Sequence, residues 1–474
     1  MKDYFIKKAW LLLIVSALVS CTTLGQKSTP PNIVVILADD LGWKDVGYNG
    51  AEFYETPNID ALANSGMVFT NAYAAGPNCA PARASLLSGL YTPKHKLYTP
   101  GGKSKGKLQY MKLKVPTKGA PETFQTFVSN NDAINPNIIC IPEVLKEAGY
   151  ISARFGKWHI GPDTQGFDIS SSNGTDLGLE KKHYGDIDIA EQLTDAAISF
   201  IETTKDKPFF LYLSHWDVHT PLRARPEVIA KYDQKQQTTA TVWNTTYAAM
   251  IEAVDTSVGR VVKKLEELQL SENTLVVFLS DNGGHTHITK NHPLKAGKGS
   301  LHEGGIRVPT VFSWPGTIPQ KSVNHSPISS VDFLPTFSDL AQLKLPKTQD
   351  FDGASLAPML LGKEKTRNQD IFWHYPLYLK GFKGNRTLAV SGTETPYWRA
   401  TPASAIRSGP WKLIQYFEDG SVQLFNLDTD ISEQHDVSRT EKEVVANLLR
   451  KLKAWQNKTG APIPKSLNPQ FAPN

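Results

Sequence analysis

Cysteine is scarce in this chain: Cys21, Cys79 and Cys140 are the only three among 474 residues. A disulfide framework is excluded, because at most one pair can form and one thiol must be left over. Long apolar runs are also missing, and Ala9–Val19 is too short to span a bilayer as a helix. An excess of one charge is missing as well. The formal net charge of +5 falls to +3 once Lys2, Lys7, Lys8 and Asp3 are set aside with the first twenty residues, which excludes a nucleic-acid binder by bulk charge. There is no internal repeat. With 40% hydrophobic and 20% charged residues the chain is neither disordered nor collagenous, and it can bury a substantial core as one large or two smaller domains.

What is present begins with an address. A basic start precedes the apolar run Ala9–Val19, the pattern of a signal-peptide core. Leu18-Val19-Ser20-Cys21 looks like a bacterial lipobox, and an A-x-A-like cleavage site is absent. Residues 1–20 are therefore expected to be a lipoprotein signal peptide, with Cys21 acylated. Several acyl chains there would anchor the protein to a membrane of a bacterial cell envelope, on a periplasmic or outer-membrane face. Residues 21–30, polar and closed by Pro30, read as a tether.

The fold begins after the tether. Ile33–Leu37, Phe209–Leu213 and Thr274–Leu279 are short continuous apolar runs, the pattern of strands covered on both faces. Tyr247, Met250, Ile251, Val254, Val258, Val261, Val262, Leu265 and Leu268 recur at helical spacing before the third run. Pro142–Ala148 opens near a proline and ends at Gly149, as a short helix does. The fold class expected is α/β: a large mixed, mostly parallel sheet sandwiched by helices over 31–365. From about 366 to 474 the texture changes to a smaller C-terminal α+β subdomain with a short antiparallel sheet. Its hairpin, Trp411–Tyr416 and Gln423–Leu427, turns at Asp419-Gly420, and a last helix covers Glu441–Gln456.

Chemistry collects at strand ends. Asp39 and Asp40 follow the first strand, and Asp281 and Asn282 follow the Thr274–Leu279 strand. Ligands in open α/β sheets bind at the carboxyl ends of strands, so these four residues can converge. Three carboxylates and an amide form a hard oxygen set that suits Ca²⁺, or Mg²⁺, far better than zinc. For either pair alone, turn and helix-cap duty is the default. Pro81 and the small residues after it read as a helix start, placing Cys79 at a helix N-terminus. Taken alone, that position suggests a thiolate with lowered pKa.

The stretch from Asn78 to Gly89, C-x-P-x-R followed by A-S-L-L-S-G, resembles the motif of the type I, formylglycine-dependent sulfatases of the alkaline phosphatase superfamily. Further motifs fall in that family's order. Gly156–Gly161 looks like G-K-W-H-x-G, His219-Thr220-Pro221 like H-T-P, and Lys298–Pro309 like K-G-x-x-x-E-G-G-x-R-V-P. The likeness covers roughly 31–460. It implies that a separate maturation enzyme oxidises Cys79 to formylglycine (3-oxoalanine), and that Asp39, Asp40, Cys79, Asp281 and Asn282 hold the metal. One hydroxyl of the hydrated aldehyde then attacks sulfur and the alcohol leaves. Loss of a proton from the second hydroxyl expels sulfate and restores the aldehyde. By the same resemblance Arg83 and Lys157 hold and activate the nucleophile, His159 and Lys298 neutralise the sulfate oxygens, and His219 protonates the leaving alkoxide. Two alternatives stand beside this: a phosphonate or phosphodiester hydrolase of the same superfamily, against which Asn282 argues, and an inactive carbohydrate-binding lipoprotein.

The expected substrate is a sulfated polysaccharide or its oligosaccharides, such as ulvan, carrageenan or a glycosaminoglycan. No acid occurs between Asp60 and Glu122, whereas Lys94, Lys96, Lys103, Lys105, Lys107, Lys112, Lys114 and Lys118 do. This stretch is expected either to form a cationic rim for a polyanion or to be a solvated loop. His285, His287, Asn291, His292 and Lys295 are candidates for gripping sugar hydroxyls or neighbouring charges, with Asn291 and Lys295 taken as substrate-binding. Trp373, His374, Tyr375, Tyr378, Tyr397 and Trp398 can stack on sugars, or be core of the small subdomain. Cys140 is expected to remain an ordinary buried thiol.

Overall fold

The structure, a computed structural model, describes residues 30–121, 126, 128–129, 131–171, 187–380 and 398–472; the lipobox with Cys21, and Tyr397, lie outside them. Pro31–Asn474 form the larger compact unit of the chain. An eight-stranded sheet dominates the larger unit. In chain order its strands are β1 (Asn32–Ala38), β2 (Met67–Phe69), β3 (Ile151–Gly156), β4 (Ile169–Ser171), β5 (Phe209–Ser214), β6 (Thr274–Ser280), β7 (Thr310–Ser313) and β8 (Ser322–Asn324). They lie side by side as β4-β3-β5-β1-β6-β7-β2-β8. The first five are mutually parallel, and β7 runs antiparallel to both its neighbours.

The continuous apolar runs are explained by what covers them. Ile33, Val35 and Leu37 pack on one face with helix α1 (Cys79–Ser88) and a helix at Phe333–Leu340. Val34, Ile36 and Ala38 face the opposite way, against the helices Ile189–Thr204 and Thr245–Glu267. With both sides dry, the β1 positions from Ile33 to Ala38 are all apolar, and each fully buried Val, Leu or Ile contributes roughly 1.5–3 kcal/mol. The helix expected from Pro142 spans Ile141–Lys146, and Gly149 with φ 78° turns the chain into β3. Cys140 caps it as a buried free thiol.

The C-terminal part carries an antiparallel sheet of β9 (Ile371–Tyr375), β10 (Ala403–Ser408), β11 (Trp411–Tyr416) and β12 (Val422–Asn426), in that spatial order. Gly420, with φ 76°, lies in the β11–β12 turn. Alternation divides the sheet's two faces. Ile406, Leu413 and Leu424 receive Leu448, Leu452 and Trp455 of the last helix, Lys442–Thr459. Trp373, Tyr375, Ala405, Ile414 and Phe425 pack instead on Tyr73, Leu301 and Ile306, beneath the Lys298–Pro309 segment. Trp373, His374, Tyr375, Tyr378 and Trp398 are thus core residues, none more than 1% exposed, and their rings are not open for a sugar to stack on.

Candidate active site

Four adjacent parallel strands deliver the site. Ala38 of β1 pairs with Ser280 of β6, so Asp39-Asp40 and Asp281-Asn282 leave the sheet side by side. Their backbones interlock: Asp281 N donates to the Ala38 carbonyl at 3.1 Å, and Asp40 N to Asp281 Oδ1 at 3.2 Å. On the other flank of β1, the chain leaving β5 is tied by Val218 N to the Asp39 carbonyl at 2.8 Å, which brings up His219. Lys157 leaves β3 with its amide on the Ser214 carbonyl at 2.8 Å. Cys79 opens α1 from another part of the chain, and all ten residues of that helix are buried. The Lys298 loop is pinned to both sides of this centre, by Lys298 N on the Gly284 carbonyl (3.0 Å) and Gly299 N on the Pro77 carbonyl (2.6 Å).

The side chains converge on one point. Cys79 Sγ lies 3.4 Å from Asp39 Oδ1 and 3.9 Å from Asp40 Oδ1. Lys157 Nζ pairs with Asp39 Oδ2, and Lys298 Nζ with Asp40 Oδ2 at 2.7 Å. His219 Nε2 is 3.5 Å from Asp40 Oδ2, while its Nδ1 lies 2.6 Å from the Thr220 carbonyl. A carbonyl only accepts, so Nδ1 carries the hydrogen and Nε2 is the atom that takes or gives a proton. Arg83 Nε donates to Asp281 Oδ2 at 2.8 Å and its Nη1 to the Lys157 carbonyl at 2.9 Å and to Ser214 Oγ. Above lies a cleft of about 460 Å³ lined by Cys79, His159, His219 and Lys298, and also by Lys103, Lys105, Lys380 and Arg399.

Burial and charge set the protonation states. Burial works to raise Asp39, yet Lys157, His219, Arg83 and Lys298 hold it well below the usual carboxylate range. Burial, with the charges of Asp39 and Asp40 close by, lifts Asp281 to about 6 although Arg83 opposes it. Burial and then Asp39 push the Cys79 thiol up to about 12. That overturns the thiolate suggested by the helix N-terminus: desolvation and a neighbouring carboxylate outweigh the helix dipole, so an unmodified Cys79 stays neutral.

The residues fit a hard divalent cation. Ligand atoms of Asp39, Asp40, Cys79 and His219 all lie within 4.8 Å of one another. Asn282 Nδ2 is spent on Asp40 Oδ1 (2.8 Å) and the Gly283 carbonyl (3.0 Å), while its buried Oδ1 has no hydrogen-bond donor. An orphaned amide oxygen beside three carboxylates is the donor chemistry of a Ca²⁺ or Mg²⁺ site.

Two expected substrate ligands stand elsewhere. Asn291 Nδ2 donates to the carbonyls of Gly284 (2.8 Å) and Ala296 (3.2 Å), bracing its own loop. Lys295 Nζ donates to the Glu433 carbonyl at 2.8 Å. Neither lines the cleft over Cys79, because main-chain carbonyls take both side chains first. Lys94 is likewise taken, by Asp350 and Asp352. Arg399 and Lys380 escaped sequence reasoning because they lie in an aromatic-rich stretch without a motif. Lys103 and Lys105 were visible only as part of a basic run.

Comparison with known proteins agrees with this geometry. The Sulfatase family model matches residues 31–343, and that of the N-sulphoglucosamine sulphohydrolase C-terminal region matches 296–458. A sulfatase of Formosa agariphila is 31% identical over 95% of this chain and 93% of its own length. The N-acetylgalactosamine-6-sulfatase of Mus musculus is 30% identical over 80% of this chain and 74% of its own. The crystal structure of Ps i-CgsB in complex with a neocarrahexaose superposes with a TM-score of 0.72 at 31% identity, covering 92% of this chain and 95% of that one. The chain belongs to the sulfatase family, within the alkaline phosphatase-like superfamily, and is a sulfuric ester hydrolase.

Proposed function

We propose that the protein removes sulfate from a sulfated carbohydrate, a polysaccharide or oligosaccharide of the carrageenan or glycosaminoglycan kind, using formylglycine made from Cys79 and a bound Ca²⁺. The observation that carries this is the position of Cys79 Sγ, within 4 Å of two carboxylates at the floor of a cleft whose described lining residues include cations and no acid. The names of the relatives above, an N-acetylgalactosamine-6-sulfatase and a protein crystallised with a carrageenan oligosaccharide, support the carbohydrate.

Asp39, Asp40, Asp281 and Asn282 would hold the cation, together with the modified residue 79. When present, the cation neutralises sulfate oxygens and the hydrated aldehyde supplies the nucleophilic hydroxyl. The rest falls to this chain's own side chains. Lys157, Lys298 and His159 bring positive or hydrogen-bonding groups to the sulfate, where charge builds in the transition state. His219 Nε2, its ring oriented by the Thr220 carbonyl, gives a proton to the departing alkoxide. Arg83 is fully buried and acts as a positioning residue, joining Asp281, the Lys157 carbonyl and Ser214. The lipobox-like sequence supports a lipid anchor on Cys21 and a place in the cell envelope.

The test is sulfate release from a panel of defined sulfated oligosaccharides, beside an aryl sulfate and an aryl phosphodiester. The protein should be co-expressed with a maturation enzyme and checked by mass spectrometry at position 79. Turnover of sulfates by protein that lacks the aldehyde would defeat the mechanism, and preference for the phosphodiester would defeat the substrate class.

A further inference from the structure

The cleft above Cys79 carries more cationic groups than one sulfate ester requires. At the reaction centre the positive side chains are matched by carboxylates: Lys157 with Asp39, Lys298 with Asp40, Arg83 with Asp281. The outer wall adds Lys103, Lys105, Lys380 and Arg399, and among the described residues no acid lines the cleft.

These four cations stand on segments that are fastened together. Tyr378 N donates to Ser104 Oγ at 3.1 Å, and Lys105 forms a parallel bridge with Leu379. Ser104 is buried, and Lys103 and Lys105 on either side of it are exposed, as alternation along an extended segment requires. Leu379–Lys380 pairs in turn with Trp398–Ala400. Arg399 is then set by carbonyls: its Nη1 donates to Lys298 O at 3.3 Å and its Nε to Lys380 O at 3.1 Å. Gly299 permits this approach. It has φ 92°, and a Cβ there would meet Leu379 Cδ2 at 2.3 Å and come within 3.8 Å of Arg399 Cζ. The guanidinium is thus held beside Lys298, whose ammonium reaches Asp40.

We propose that Arg399, Lys103, Lys105 and Lys380 form a second anion subsite, which binds a further sulfate or carboxylate on the same carbohydrate as the ester being cleaved. The proposal rests on the sulfatase reading and narrows its substrate to one with at least two anionic groups in neighbouring positions. A planar guanidinium fixed at two nitrogens suits an oxyanion's paired oxygens, and the lysines add field without fixed geometry.

The test uses matured protein and three probes: a small aryl sulfate as substrate, and inorganic sulfate and sucrose octasulfate as competitors. Losing one charge-assisted contact in Arg399→Gln, or two in Lys103→Gln/Lys105→Gln, is expected to raise Ki for the octasulfate by about 10-fold or more. That rise should exceed any change in aryl sulfate KM or inorganic sulfate Ki by a similar factor. An unchanged octasulfate Ki, or all three constants rising together, would overturn the subsite. The double lysine variant alters only exposed side chains, so it keeps the test valid if Arg399→Gln fails to fold. If the matured wild-type protein releases sulfate neither from the aryl sulfate nor from any oligosaccharide of the panel, the sulfatase reading falls on its own. The subsite is then judged by calorimetric titration of octasulfate into the same variants, with loss of binding supporting it and retention refuting it.

Discussion

Arg83 has no exposure to solvent, and its guanidinium is shared among Asp281, the Lys157 carbonyl and Ser214. Replacing it by Met leaves Asp281 buried without its cation and Asp39 short of one. Breaking a buried pair from one side costs about 3–5 kcal/mol, so Arg83→Met should lower the urea midpoint by that equivalent. A loss below 1 kcal/mol would mean that the centre relaxes around the gap. Asn282 makes a different prediction. Its Oδ1 is buried with no donor and faces a metal site in the proposed function. Asn282→Ala should raise the Ca²⁺ concentration needed to lift Tm by at least about 10-fold, the range seen when even an outer-shell partner is lost. An unshifted Ca²⁺ titration would remove Asn282 from the ligand set.

At the scale of elements, the glycines of the motifs explain why distant segments touch. Gly283 N donates to the Gly305 carbonyl at 3.0 Å, and a Cβ on Gly283 would sit 1.8 Å from the Gly304 carbonyl oxygen. Gly156 ends β3 with φ 96°, and a Cβ there would come within 1.9 Å of the Ser214 carbonyl oxygen. Both contacts are with backbone, so neither can yield by side-chain rotation. Gly283→Ala should therefore displace Asn282 and cost activity well beyond its stability loss. The readout is aryl sulfate kcat compared with Tm; a kcat that falls only as far as folding does would show the close approach to be structural alone. The same elements show what can be read beforehand. Strands β1, β5 and β6 were legible because both their faces are dry, and Asp39, Asp40, Asp281 and Asn282 because they follow such strands directly. Asn291 and Lys295 were not, since residue type does not say whether a polar side chain meets a ligand or a main-chain carbonyl. The antiparallel β7 carries no pattern of its own, as Thr310–Ser313 is too short to show one.

The whole molecule is tied together by charges with no access to water. Glu303, in the segment that follows Lys298, pairs with Arg307 at 2.6 Å and with Lys412 of β11 at 2.9 Å. Lys412 also meets Glu433 at 3.0 Å, and Glu433 Oε2 accepts from Glu303 N at 2.7 Å. The C-terminal sheet therefore neutralises and covers the element that carries Lys298. A chain ending at residue 365 would leave Glu303 without Lys412 and expose Tyr73, Leu301 and Ile306. Such a truncation should show no cooperative unfolding in calorimetry, and a sharp transition from it would refute the linkage. Acid tests the same network in the intact chain. Burial alone would raise Glu433, but Lys412 and then His302 bring its pKa down from 4.5 to about 2. The unfolded chain therefore binds the proton more tightly, and stability rises with pH across that window. This contribution is complete above pH 4.5 and is lost as pH falls toward 2. Urea unfolding of Glu433→Gln should accordingly show a shallower fall in stability between pH 5 and 3 than the wild type. Parallel curves would mean that Glu433 keeps an ordinary pKa, and that the buried network is not what acid breaks.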